Sequence, residues 1–348
     1  MAAFRTSSSI SSSESRVWRR FLAWLLATAL GGLAVVYGFV AVIDPWGVLP
    51  LSPPLPRVPI STNARFSFPA LARSPAFDSA VFGTSTSRLL DPAVLDPLFG
   101  VRFANLAMNS ATAYEQSRLL GVFARAHPHA RMVIIGLDSD WCTPAPERTT
   151  GRPFPAWMYG GSPWRGYREI ANMYAVQEAA NQLAVMAGLK RRRYGLDGYT
   201  NFLPDDGAYD PRRVAEIFAS VGDVSNAPPV PGVPIELPTM RLLADDFAAL
   251  PTTTKKLLFF VPYHISQQGQ PGSAVAAWTA ACKRAVVSLA TAVPETVVMD
   301  FMIPSDITSH RDNYWDPLHY RLPIAHRLMR DLAAGHPTPD AAVLVGQR

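Results

Sequence analysis

Cysteine is nearly absent from this chain: 348 residues contain two, Cys142 and Cys282. Two cysteines exclude a disulfide framework and a cysteine-based metal cluster. The expected state is two free buried thiols, with one Cys142–Cys282 bridge as the alternative in an oxidising compartment. Asp138 and Asp140 have no histidine at a fixed spacing from them, so neither a metal nor any other cofactor is expected. Charge is sparse as well, at 17% of residues against 49% hydrophobic, which excludes a disordered chain. The basic residues are scattered except at the N-terminus and at Lys190-Arg191-Arg192-Arg193, and the net charge is only +5, so no nucleic acid partner is called for. No internal repeat is visible. Proline is plentiful: 32 residues, roughly twice the usual share of about 5%, imply long irregular connections.

Residues 21–43 carry no charge, and at about 1.5 Å per residue in a helix this run crosses a hydrocarbon core of about 30 Å. A serine-rich leader, 1–20, precedes it and is expected to be disordered; Arg5, Arg16, Arg19 and Arg20 outnumber its single acid, Glu14. Basic residues on the N-terminal side put that side in the cytoplasm and everything after Asp44 outside, which for a bacterial inner membrane is the periplasm. Ala27-Thr28-Ala29 resembles a signal-peptide cleavage site, but 14 further apolar residues follow it, so an uncleaved anchor is the expectation. A proline-rich stretch opened by Asp44-Pro45-Trp46-Gly47 reads as an extended linker over 44–75.

Short apolar segments rich in β-branched or aromatic residues predict strands at 79–84, 102–107, 132–138, 256–263 and 296–302. Helical patterns lie between them at 114–126 and 274–292. That alternation predicts a three-layer α/β/α domain around a parallel sheet, spanning 76–340. The fold does not need residues 145–254, which read as an insertion with a helix at 167–189, placed over the strand ends as a lid or acceptor surface.

Chemistry concentrates in two stretches. Gly83-Thr84-Ser85-Thr86-Ser87-Arg88 follows the first strand and leads into Leu89-Leu90-Asp91-Pro92, which can open a helix, so Ser85 sits at a strand-to-helix turn. A hydroxyl there faces the crevice at the carboxyl ends of the strands, and the nearby helix start offers N–H groups to an oxyanion. Serine needs a histidine to take its proton and a carboxylate to orient that histidine. Asp316-Pro317-Leu318-His319 supplies both, and Pro317 excludes a helix interior, leaving a turn. Tyr314, Trp315 and Tyr320 are expected to wall the pocket. Arg88 suits either a substrate carboxylate or phosphate, or a pairing with Asp138 or Asp140. His264, at the end of the fourth strand, is a further candidate for the same crevice. The run 190–193 reads as a solvated helix end, with contact to anionic lipid or a polyanionic glycan as the alternative.

These residues resemble the SGNH (GDSL-like) hydrolases and acyltransferases: a Gly-x-Ser after the first strand and an Asp-x-x-His near the C-terminus. The resemblance is narrower to the membrane-anchored envelope members, such as the alginate O-acetyltransferase and teichoic-acid D-alanyl transfer proteins. It implies a flavodoxin-like order of five strands, Ser85 as nucleophile, His319 as base and Asp316 as its orienter. Asn105-Leu106-Ala107-Met108-Asn109-Ser110 resembles the second family block, with Ser110 at the position of an oxyanion glycine and Asn109 beside it. Ile135-Gly136-Leu137-Asp138 resembles the third, with Asp138 in place of an oxyanion asparagine. An ionised Asp138 would repel an oxyanion, and with Ser110 this leaves open a second reading, a silent glycan-binding or scaffold protein. The active reading implies an esterase or O-acyltransferase whose partners are an acylated glycan or acyl donor, the inner membrane and a membrane acyltransferase.

Overall fold

A computed structural model describes residues 12–346. In chain order the elements are α1 (Ser12–Ile43), α2 (Ala64–Leu71), β1 (Ser79–Phe82), α3 (Pro92–Phe99), β2 (Phe103–Asn105), α4 (Ala113–Ala126) and β3 (Met132–Leu137). There follow α5 (Gly166–Glu169), α6 (Met173–Met186), α7 (Pro211–Val221), α8 (Met240–Ala249) and β4 (Lys255–Phe260). The C-terminal part contains α9 (Ala274–Thr291), β5 (Thr296–Asp300), α10 (Asp306–Ser309), α11 (Leu322–Ala334) and β6 (Ala342–Val345). Two compact units result, one built from the described part of 1–57 with Trp164–Lys190, the other from Val58–Pro163 with Arg191–Arg348.

In the first unit, α1 holds a 29-residue stretch, Ser15–Ile43, long and apolar enough to cross a membrane. Residues 1–11 of the expected disordered leader lie outside the described residues, and 12–20 are helical rather than disordered. The last carbonyls of α1 lack helical partners. Arg57 satisfies two of them, donating from Nε to Ile43 O (2.7 Å) and from Nη2 to Val42 O (3.3 Å). Asp44, at φ 43°, turns the chain back, and its Oδ2 accepts from Leu49 N–H (2.9 Å) and Ser52 Oγ–H (2.8 Å). Residues 44–57 are therefore folded against the end of α1 rather than extended. α6 packs against α1, and Tyr37 Oη donates to Tyr167 O (2.7 Å). The helix expected at 167–189 is broken, because the Asn172 side chain accepts from Ala175 N–H (2.9 Å) and starts a new helix there.

The second unit is built on a six-stranded sheet in the order β2-β1-β3-β4-β5-β6. β1 to β5 are parallel, in the register Ser79↔Phe103, Ser79↔Met132, Met132↔Lys255 and Lys256↔Thr296. β6 joins β5 antiparallel. The sheet is thus mixed rather than purely parallel, and the 76–340 boundary falls short of its last strand. Its four residues are too few to give a periodic signal. β1 and β3 are buried along their whole length, so both faces of the sheet need cover. α4 packs against α2 and α8, and α8 against α9, while α3 packs against α11. Part of the expected linker is helical too: α2 accommodates Pro69 because the carbonyl freed by its missing N–H, Arg65 O, accepts from Tyr159 Oη (2.8 Å).

Cys142 and Cys282 form a disulfide, contrary to the expectation of free thiols. They are 140 residues apart in sequence, which carries no framework pattern, yet β3 and α9 bring their Cα atoms to 5.5 Å. Closing so long a loop stabilises by about 4–5 kcal/mol in the chain-entropy description. A Cys142→Ser/Cys282→Ser double variant should unfold at lower urea, with about 2–5 kcal/mol lost. Wild-type protein in reductant should shift to the same curve.

Candidate active site

β1 ends at Phe82 and the chain turns sharply at Gly83, whose φ is 145°. A Cβ there would lie 2.2 Å from Ser87 Oγ, so the turn requires glycine. Arg88 N–H returns to Thr84 O (3.2 Å), a 3-10 turn over Ser87–Leu89 follows, and Asp91 caps α3 by accepting from Ala93 N–H (2.9 Å). Within 84–88 only Ser85 escapes full burial. Asn105, at the end of β2, holds this turn: its Nδ2 donates to the carbonyls of Ser87, Arg88 and Leu90 at 3.2, 3.3 and 2.8 Å.

The histidine comes from a loop after α10. Tyr314 and Tyr320 face each other across an isolated antiparallel bridge, and Trp315 N–H donates to His319 O (2.9 Å). Asp316 Oδ1 accepts from the N–H groups of Leu318 (2.9 Å) and His319 (3.0 Å), so the carboxylate organises its own turn. Both tyrosines are fully buried and do not wall a pocket as expected; they anchor the loop. Tyr314 Oη donates to Pro262 O (2.7 Å), beyond β4, and Tyr320 Oη to Thr86 O (2.6 Å). Burial pushes the Tyr320 hydroxyl far up from its usual pKa, keeping it a donor. Tyr320 follows His319 and Thr86 follows Ser85, so this bond fixes the Ser85–His319 pair in register. The third aromatic, Trp315, is half-buried and packs edge-on against Tyr209 at 5.3 Å.

Ser85 Oγ lies 2.7 Å from His319 Nε2, and His319 Nδ1 lies 2.7 Å from Asp316 Oδ2. An ionised carboxylate accepts only, so the proton sits on Nδ1 and Nε2 offers its lone pair to the serine hydroxyl. Burial works against the Asp316 charge, but the His319 hydrogen bond, the imidazole charge and the two N–H groups outweigh it and hold its pKa below the usual carboxylate range. The edge of Phe202 packs on the imidazole at 5.7 Å, a contribution from the long insertion that no motif announced.

Ser110 has φ 52°, the left-handed conformation that glycine adopts freely and serine at a cost of about 1–2 kcal/mol. A buried ion pair holds it there. Arg65, paired with Glu115, donates from Nη1 to Asn109 O (3.3 Å) and from Nη2 to Ser110 O (3.4 Å). Glu115 also closes the capping box of α4 with Thr112. From the other side, Arg88 Nη1 donates to Asn109 Oδ1 (2.6 Å). Arg88 therefore pairs with neither Asp138 nor Asp140: Asp140 is taken by Arg148, and Asp138 Oδ1 accepts from Asp140 N–H (3.0 Å). Burial, with the Asp140 charge added, pushes the Asp138 carboxyl up to about 7, against the Thr84 hydroxyl and backbone N–H groups that lower it. A full negative charge at this position near neutral pH is thereby avoided.

His264 is buried and has a structural role. Its Nδ1 accepts from Ser266 N–H (3.2 Å), and its buried ring packs between Phe218 and Tyr314. Its backbone N–H donates to Pro317 O (3.0 Å), so it braces the Asp316 turn from below. An apolar cavity of about 550 Å³ lies beside Leu318, lined by Tyr263, Trp278, Met302 and Asp138. Among the described residues no cluster of His, Cys, Asp or Glu could hold a metal ion. No protein-family model matches the chain, and no curated protein does either.

Tyr320→Phe should lose about 1–3 kcal/mol of stability, because Thr86 O is left buried without its donor. Its kcat on a simple ester should fall by roughly 10- to 100-fold with KM little changed, since Nε2 is no longer held at Ser85. Steady-state kinetics on p-nitrophenyl acetate, with urea unfolding alongside, checks both.

Proposed function

We propose that this chain is a membrane-anchored serine esterase or O-acyltransferase of SGNH-like fold, acting outside the cytoplasm on an acylated envelope or exported glycan. The observation that carries the reading is the unbroken Ser85–His319–Asp316 chain, two 2.7 Å hydrogen bonds of which the first joins residues 234 apart in sequence. The β2-β1-β3-β4-β5 order supports it, being the flavodoxin-like order with ligands expected at the carboxyl ends of the strands. An apolar N-terminal helix with Arg16, Arg19 and Arg20 at its start supports an anchor with its N-terminal side in the cytoplasm. The disulfide suits an oxidising compartment such as the periplasm.

In this reading Ser85 Oγ attacks the ester carbonyl carbon while its proton passes to His319 Nε2. The carbonyl oxygen becomes an oxyanion facing the N–H groups of Ser85 and Ser110. Collapse expels the alcohol, which takes the proton from Nε2 and leaves an acyl ester on Ser85. Water or a glycan hydroxyl then attacks this ester, giving up its proton to Nε2, and the proton returns to Ser85 Oγ as the acyl group leaves. Asp316 stays ionised throughout and stabilises the imidazolium.

A fluorophosphonate probe should label the full-length protein in detergent, and Ser85→Ala should abolish labelling. Ester turnover should fall roughly 10⁴- to 10⁶-fold in Ser85→Ala and His319→Ala, and roughly 10⁴-fold in Asp316→Asn. Labelling that persists in Ser85→Ala would count against the mechanism.

A further inference from the structure

Arg88 is only 6% exposed, and a guanidinium so buried ordinarily has a carboxylate with it. Buried Arg65 follows that rule with Glu115. Arg88 does not: among the described residues it forms no ion pair, its Nη1 bonds the neutral amide of Asn109, and its Nε is buried without a hydrogen-bond partner. The rings of Tyr194 and Phe202 flank it, each centroid 5.4 Å from Cζ. The Arg193 guanidinium lies over the same Tyr194 ring, 6.0 Å from its centroid. Burial draws the Arg88 pKa below the usual arginine value; the Tyr194 hydroxyl opposes this, and the charges of Arg193 and Arg152 add to it. Arg152 and Arg193 are exposed and, among the described residues, also in no ion pair. Three cations thus converge without an acid to balance them.

The cluster borders the chemistry. Arg88 follows the nucleophile by three residues in a turn held by Asn105, and the Phe202 ring that flanks its guanidinium packs edge-on against His319. Arg88 also holds the Asn109 side chain, next to Ser110.

We infer that Arg88, Arg152 and Arg193 form an anion subsite beside Ser85, which takes a carboxylate or phosphate carried by the glycan close to its acyl ester. The inference rests on reading Ser85 as the nucleophile of an esterase or acyltransferase. A guanidinium presents a planar fork of N–H donors that matches a carboxylate or phosphate. Between two aromatic rings the attraction is screened less than in water. The two exposed arginines add steering that salt weakens.

Isothermal titration calorimetry on the full-length Ser85→Ala protein in detergent separates binding from turnover. D-glucuronate and inorganic phosphate are the probes for the carboxylate and phosphate arms, and glucose is the neutral control. Saturable binding of either anion, and none of glucose, is expected. Arg88→Gln should weaken it roughly 10- to 100-fold, and Arg88→Lys by less. The Arg152→Ala/Arg193→Ala double variant, altered only at exposed positions, should weaken it several-fold and flatten its salt dependence. Absence of binding by both anions, or binding unchanged in Arg88→Gln and in the double variant, overturns the subsite. Anion binding by Ser85→Ala, together with a wild-type protein that no fluorophosphonate labels, would sustain the subsite and sink the serine-nucleophile reading alone.

Discussion

A hydroxyl at position 85 and an imidazole at position 319 must meet at hydrogen-bond distance, and the Tyr320–Thr86 bond is the constraint that brings them there. It joins the residue after His319 to the residue after Ser85, so its 234-residue span is the same as that of the Ser85–His319 contact. Being fully buried, the tyrosine cannot trade this partner for water, and losing it would strand a carbonyl. The surrounding contacts serve the same end: Tyr314 to Pro262 O, His264 N–H to Pro317 O, and Asp316 to the N–H groups of its own turn. Side chains on a loop acquire in this way the fixed geometry that proton transfer demands.

Charge around the site is graded by burial. Asp316, half-buried and given three donors, keeps its charge and orients His319. Asp138, fully buried beside Asp140, is pushed toward neutrality. The same physics acts on Arg88, which cannot shed its proton at any ordinary pH, so the fold carries a cation without an ion-pair partner three residues from Ser85. The left-handed Ser110 is a second local cost, and the buried Arg65–Glu115 pair is what holds its carbonyl in place.

The five core strands, the apolar helix and the three residues of the hydrogen-bonded chain were legible in the sequence because each writes a local signal: β-branched runs, an uncharged 23-residue stretch, Gly-x-Ser and Asp-x-x-His. All five expected strands ran past their true carboxyl ends, since Thr84, Asp138 and Tyr263 look like strand residues but leave the sheet to build turns. What stayed hidden depends on distant pairing. Phe202 against His319, Arg65 against Glu115 and Asn105 under the Ser87 turn involve residues with no distinguishing neighbours. Tyr314 and Tyr320 were visible but misread, because an aromatic flank suggests a pocket wall as readily as an anchor.

The central claim is that Ser85 forms a covalent acyl intermediate with His319 as its base. Mixing the full-length protein in detergent with p-nitrophenyl acetate, quenching in acid and mapping peptides by mass spectrometry tests it directly. The account predicts one acetyl group on Ser85, formed in a burst and missing from His319→Ala. Acetylation elsewhere, or on Ser85 at the same rate without His319, would contradict it.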